Sequence, residues 1–186
     1  MGSAYAADDE VAGGVTQTTR EDLQADSTFT IRSGGTLEAD LNNIVRGYIA
    51  AGNEIDNATV VVESGGIIKG KSNAIMGREL SGLTVINSGT IEATSSKAIQ
   101  LQDAQGATIT NKSGGIIFAR TNAIVQQEAS GGEDATGTTI NNAGTILAVN
   151  ILVDFFLLSF VTTNLRKNWN SFLKRKSTDF NAGIKK

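Results

Sequence analysis

SGGTLEA (Ser33 to Ala39) returns with small changes as SGGIIKG (Ser64 to Gly70), NSGTIEA (Asn87 to Ala93), SGGIIFA (Ser113 to Ala119) and NAGTILA (Asn142 to Ala148). The last glycine of each phrase falls at Gly35, Gly66, Gly89, Gly115 and Gly144, so the spacings are 31, 23, 26 and 29 residues. A phrase repeating at this period marks a solenoid, in which a unit buries its apolar face only against its neighbours. Two residues past each glycine stands a large aliphatic: Leu37, Ile68, Ile91, Ile117 and Ile146. Four residues past it stands a small one: Ala39, Gly70, Ala93, Ala119 and Ala148. Strand side chains alternate faces, so these two columns point inward. Glu38, Lys69, Glu92, Phe118 and Leu147, which lie between them, point outward.

Further runs flank each phrase. Before the glycines lie FTI (Phe29 to Ile31), TVVV (Thr59 to Val62), LTVI (Leu83 to Ile86), TIT (Thr108 to Thr110) and TTI (Thr138 to Ile140). Nine or ten residues after them comes a second inward column of Ile44, Ile75, Ile99 and Ile124. Three short strands per repeat, joined by Gly, Asn and Ser turns, predict an all-β chain. The fold expected is a right-handed parallel β-helix of about five coils over Thr28 to Val149, with a non-repeat C-terminal tail. The chain has no proline, as a solenoid requires when every strand donates to its neighbours. Stacking would bring Glu38, Lys69 and Glu92 into one column as an aid to register, since exposed pairs contribute little stability. It would also place Asn87, Asn111 and Asn142 in a structural ladder at the turn before the glycine.

The ends read differently. Residues 1–6 end in Ala4-Tyr5-Ala6, a small-x-small pattern like the close of a signal peptide. Residues 7–27 are taken as a lead-in. Residues 150–186 lack the phrase and contain ILVDFFLLSFV (Ile151 to Val161), followed by Arg166-Lys167 and Lys174-Arg175-Lys176. From Val149 onward seven basic residues face two acidic ones, whereas the rest of the chain has nine basic and seventeen acidic. The apolar run, interrupted by Asp154, is short of the roughly 20 residues a membrane helix needs. Three readings of the tail stand: a cap on the solenoid, a basic amphipathic segment touching anionic membrane, or frameshifted sequence after a truncated array. The abrupt change of composition favours the last.

Composition narrows function. Without cysteine or histidine, thiolate and Ser-His-Asp catalysis and the usual zinc ligands are excluded. The sequence contains no phosphate-binding loop and no calcium loop of the D-x-D-x-D-G or G-G-x-G-x-D kind. An acidic repeat region argues against nucleic acid. The expected catalytic, cofactor-binding and metal sites are therefore none.

TVINSGTIEA (Thr84 to Ala93), NKSGGIIFA (Asn111 to Ala119) and TINNAGTILA (Thr139 to Ala148), with the Ala-Ile pairs that follow intact phrases, resemble the passenger repeats of bacterial autotransporters. The likeness covers about 120 residues. It implies a β-helical, adhesin-like stalk on the surface of a Gram-negative bacterium, exported by type V secretion and normally joined to an outer-membrane translocator barrel. No series of barrel strands is present here, so the chain reads as a fragment of such a passenger. Its implied partners are host-cell or matrix molecules or other bacterial cells. Ligand contacts are expected in the longest loops, Arg46 to Asn57 and Glu128 to Gly137. The alternative is a β-helical polysaccharide lyase or glycosidase. Its aspartates, Asp40, Asp56, Asp103 and Asp134, are scattered. Glu38 and Glu92, two coils apart with Lys69 between, would stand roughly 9 to 10 Å from each other at the backbone.

Overall fold

A computed structural model describes residues 9–48, 55–128 and 136–149. The described residues are all-β. Each coil contributes one strand to each of three parallel sheets, A, B and C. The first coil holds β1 (Asp9–Val11), β2 (Thr16–Gln17) and β3 (Glu21–Asp22). The second holds β4 (Thr28–Ile31), β5 (Thr36–Ala39) and β6 (Val45–Tyr48), and the third β7 (Thr59–Val62), β8 (Ile67–Gly70) and β9 (Asn73–Arg78). β10 (Thr84–Asn87), β11 (Thr90–Ala93) and β12 (Lys97–Gln102) form the fourth, and β13 (Thr108–Asn111), β14 (Ile116–Ala119) and β15 (Asn122–Gln127) the fifth. β16 (Thr139–Asn142) and β17 (Thr145–Ala148) begin a sixth. Every strand pairs in parallel with its counterparts in the adjacent coils, in the order β1-β4-β7-β10-β13-β16 for the first sheet. The chain is thus a parallel β-helix with three strands per coil. The tail and the signal-like Ala4-Tyr5-Ala6 lie outside the described residues.

The aliphatic column stacks as the offsets predict. Leu37 pairs with Ile68, Ile68 with Ile91, Ile91 with Ile117 and Ile117 with Ile146. The first four are fully buried, and Ile146, on the last described strand of its sheet, is half-buried. The anchor glycine itself is set by the coil next to it. A Cβ at Gly35 would come within 2.6 Å of Val11 O, and one at Gly115 within 2.6 Å of Asn87 O. At Gly89 it would overlap Gly66 O and Glu63 O. Any side chain here collides with backbone, so only glycine fits.

Three details depart from the sequence reading. The coil array reaches back past Thr28 to Asp9, because β1 to β3 pair with β4 to β6. Val15 stands at this first coil's anchor position, as Thr16 pairs with Thr36. β2 ends its sheet among the described strands, and Val15 is exposed, so a side chain is tolerated. Second, the inward column of the third sheet runs Val45, Ile75, Ile99, Ile124. Ile44 stands one place earlier, buried, and a Cβ on Gly70 would meet its Cγ2 at 3.1 Å. The larger Ile44 takes the room that Ala occupies in the other coils. Third, Asn87, Asn111 and Asn142 are the last residues of β10, β13 and β16, not turn residues. Their register partners in earlier coils are the buried Val62 and Ile31.

The corner from sheet C to sheet A also stacks. A left-handed residue recurs there in every coil, at Asp26, Asn57, Gly82, Gly106 and Gly137, with φ between 53° and 74°, and the corners after β9 and β12 add a second at Glu79 and Asp103. Asp and Asn are the residues besides glycine that adopt this conformation most readily. Asn57 Nδ2 donates to Asp26 Oδ1 at 3.1 Å, tying the first two corners together.

Candidate functional site

Sheet B presents the charged column to solvent. β5, β8 and β11 hold Glu38, Lys69 and Glu92 in register, followed by Phe118 and Leu147. Lys69 Nζ lies 2.7 Å from Glu38 Oε1. The hydrogen bond to Glu38 chiefly, and then its charge, holds the Lys69 ammonium above its ordinary pKa, with a smaller contribution from Glu92. One turn along the chain Lys71 Nζ approaches Asp40 Oδ1 at 3.1 Å. These two pairs flank a groove of about 220 Å³, with Ala39 and Gly70 between them and Thr94 at its margin. Ala39 and Gly70 face inward, so the stretch between the two ion pairs presents no side chain to solvent and forms the floor of the groove.

What the groove can do chemically follows from its charges. Each carboxylate faces an ammonium one coil away, so the surface is locally neutral and both lysines are engaged. Lys69, between Glu38 and Glu92, occupies the space where a paired-carboxylate hydrolase holds substrate and water. Among the described residues there is no group of three or more His, Cys, Asp or Glu side chains able to hold a metal ion.

A second charged cluster went unnoticed in the sequence. Arg32, in the turn after β4, bonds Glu10 of the first coil and Glu63 of the third, both at 2.8 Å. Glu63 Oε2 also accepts from Ser33 N at 3.0 Å. The Arg32 hydrogen bond, and then the Ser33 amide, hold the Glu63 carboxyl below its usual range, and Arg32 is raised in turn by Glu63 and Glu10. The signal lay in the repeat itself: Glu10, Arg32 and Glu63 each directly follow or precede the last inward residue of the first strand, with alternating sign. Arg46 similarly grips Asp22 through both carboxylate oxygens, at 2.8 and 2.9 Å.

The remaining predicted residues are dispersed. Asp56 forms an isolated bridge with Ser81, and Asp103 is buried with positive φ after β12. Asp134 and most of the Glu128 to Gly137 loop lie outside the described residues. Of the Arg46 to Asn57 loop, Arg46 to Tyr48 belong to β6, and 49–54 lie outside the described residues.

The amide ladder is internal. Asn87 Nδ2 donates to Asn111 Oδ1, and Asn111 Nδ2 to Asn142 Oδ1, each at 2.8 Å. The same amides reach the backbone carbonyls of Ile116, Gly115 and Thr145 at 3.1 to 3.2 Å. Asn87 and Asn111 are fully buried, so the ladder is a core device and not a surface for ligand.

Comparisons with protein-family models, with curated proteins and with solved structures find no match for this chain.

Proposed function

We propose that the chain is a stretch of β-helical stalk from an autotransporter-type passenger, carried on the surface of a Gram-negative bacterium and acting in adhesion without catalysis. The observation that supports it most is the register of the outward columns. Glu38, Lys69, Glu92, Phe118 and Leu147 follow one another coil by coil with no insertion, which gives a regular spacer growing by roughly 4.8 Å per coil. Such a face suits distributed contact with a cell or matrix surface. Partner choice then falls to the loops that leave the coil.

The test is display. The full chain, fused between a signal peptide and an outer-membrane translocator barrel, should be reached by antibody on intact cells and should raise adhesion to matrix-coated surfaces above that of the barrel alone. A fusion that reaches the surface and adds no adhesion would remove the adhesin reading. Cleavage of polygalacturonate by the purified chain, lost in Glu38→Gln or Glu92→Gln, would replace it with the lyase or glycosidase reading.

A further inference from the structure

The first coil differs from all the others where it faces the core. The innermost column of sheet A runs Asp9, Phe29, Val60, Val85, Ile109, Ile140. That of sheet B runs Gln17, Leu37, Ile68, Ile91, Ile117, Ile146. That of sheet C runs Glu21, Val45, Ile75, Ile99, Ile124. Each sheet therefore places one polar residue at the inward register of the first coil, Asp9 exposed and Gln17 and Glu21 half-buried, on an apolar stack that Val11 and Leu23 help to close.

These three groups form a cluster with an electrostatic imbalance. Gln17 hydrogen-bonds Glu21, while Asp9 and Asp22 act on Glu21 as like charges. Two cations lie on neighbouring segments, and both are committed elsewhere. Arg46 grips Asp22, and Arg20 donates to the carbonyls of Asn43 and Asn42 at 3.1 and 3.0 Å. Residues on β6 opposite Glu21 are apolar at Val45 and already paired at Arg46. The coil is also lightly held, since β2 and β3 are two residues each. Its backbone attachments in sheet C include Glu21 N to Ile44 O and Leu23 N to Arg46 O, both 2.8 Å.

We propose that the first coil is a pH-operated end cap: with Glu21 protonated it stays zipped to the second coil, and ionisation of Glu21 beside Asp9 loosens it and uncovers the edges of β4, β5 and β6. Burial chiefly, then Asp9 and Asp22, push the Glu21 carboxyl up to about 7, above the usual carboxylate range. A carboxyl raised in the folded state takes up a proton on folding. Its contribution is complete below the unfolded value and is lost as pH rises through about 7. An uncovered sheet edge is a site for strand addition, so the first coil controls access to the edge of the second.

Amide hydrogen exchange of the full chain, corrected for the intrinsic rate at each pH, reads the cap directly. Between about pH 5.5 and about pH 8.5 the protection of Asp9 to Leu23 should fall roughly tenfold, a figure already reduced for solvent screening of a half-exposed group. Protection of Val85 to Ile99 should not change. Glu21→Gln should keep the first coil protected at the higher pH. Glu38→Gln, which removes the same charge from the outer face, should leave the pH-dependent loss in place. Equal protection of the first coil at both pH values would overturn the proposal. So would a loss shared by Val85 to Ile99, or a Glu21→Gln variant that follows the unaltered chain. Reduced protection at both pH values in Glu21→Gln would make the side chain structural only and would equally end it.

Discussion

Gly89→Ala isolates the contact that defines the repeat. The added methyl would overlap two backbone oxygens of the preceding coil, Gly66 O and Glu63 O, and would lie 2.9 Å from Val62 Cγ1. Neither oxygen can swing aside as a side chain could. Gly66 O already accepts Thr90 N at 2.9 Å, and Glu63 O accepts Gly66 N at 2.9 Å. Relief requires the coils to separate by on the order of 1 Å, which stretches Thr90 N–Gly66 O and the neighbouring Ser88 N–Val62 O bond of 2.7 Å. Two weakened backbone bonds cost about 0.5 to 1.5 kcal/mol each, and overpacking adds about 1 to 3 kcal/mol. The expected loss is about 2 to 6 kcal/mol. Gly106→Ala is the control, because its Cβ would meet nothing within 4 Å and only the positive φ of 63° opposes it. That strain costs about 1 to 2 kcal/mol. Urea unfolding followed by far-ultraviolet circular dichroism gives both values. If Gly89→Ala costs no more than Gly106→Ala, close approach of coils is not why the anchor is glycine.

Three further comparisons test the remaining contacts, the first two by the same unfolding measurement and the third by thermal melting. Asn111→Ala should lower stability by about 2 to 4 kcal/mol, since it strips a buried amide from two neighbours, whereas Asn142→Ala on the exposed terminal strand should cost under about 1 kcal/mol; equal losses would mean the ladder carries no energy. Ile91→Asp should cost several kcal/mol by placing an unpaired charge in a fully buried column, and Thr90→Asp, one residue away and outward, under about 1 kcal/mol; similar midpoints would reverse the inside and outside assignment. Lys69→Gln should shift the melting temperature slightly at low salt and not at all at about 0.5 M salt, where an exposed pair is screened; a large salt-independent shift would give Lys69 a packing role that its exposure argues against.

The parts of the fold legible in the sequence are those at a constant distance from the anchor. From glycine to the end of the second strand no residue is inserted in any coil, so Leu37, Ile68, Ile91, Ile117 and Ile146, and the charges beside them, could be aligned by counting. Beyond that strand counting fails, because the connection to the third strand varies. Five residues separate Ala39 from Val45, but two separate Gly70 from Asn73. That is how Ile44 took the place of Val45. The turn before the glycine also has two lengths, three residues after Ile31, Val62 and Asn111 but one after Asn87 and Asn142, which made the asparagines look like turn residues. The first coil was hidden for a more physical reason. The signature glycine answers a steric demand of the coil before it, and among the described strands none lies before β2, so Val15 carries no signature. The candidate site was half visible: Glu38 and Lys69 share an offset, as do Arg32 and Glu63, while Glu10 lies in β1 of a coil that has no anchor glycine to count from.

The two halves of the array are held in register by different chemistry, and the difference has a consequence for how coils choose neighbours. In the first three coils the contacts are mainly charges of alternating sign, Glu10 to Arg32 to Glu63 along one edge and Asp22 to Arg46, Glu38 to Lys69 and Asp40 to Lys71 elsewhere, beside the amide bonds of Asn57 to Asp26 and Asn73 to Asn43. A slip by one coil would set Glu against Glu along the first of these, so alternation rejects the wrong neighbour as well as favouring the right one. In the last three coils the contact is an amide ladder, in which Asn87 donates to Asn111 and Asn111, the middle rung, both accepts at Oδ1 and donates from Nδ2 to Asn142. An amide is its own complement, so a ladder of this kind accepts any coil that brings another asparagine to the inward position. Its first rung shows the requirement from the other side: Asn87 Oδ1, facing the coil of Val62, has no hydrogen-bond partner. Charges therefore specify the order of the N-terminal coils, and the asparagines leave the C-terminal coils able to extend by repetition of a single phrase.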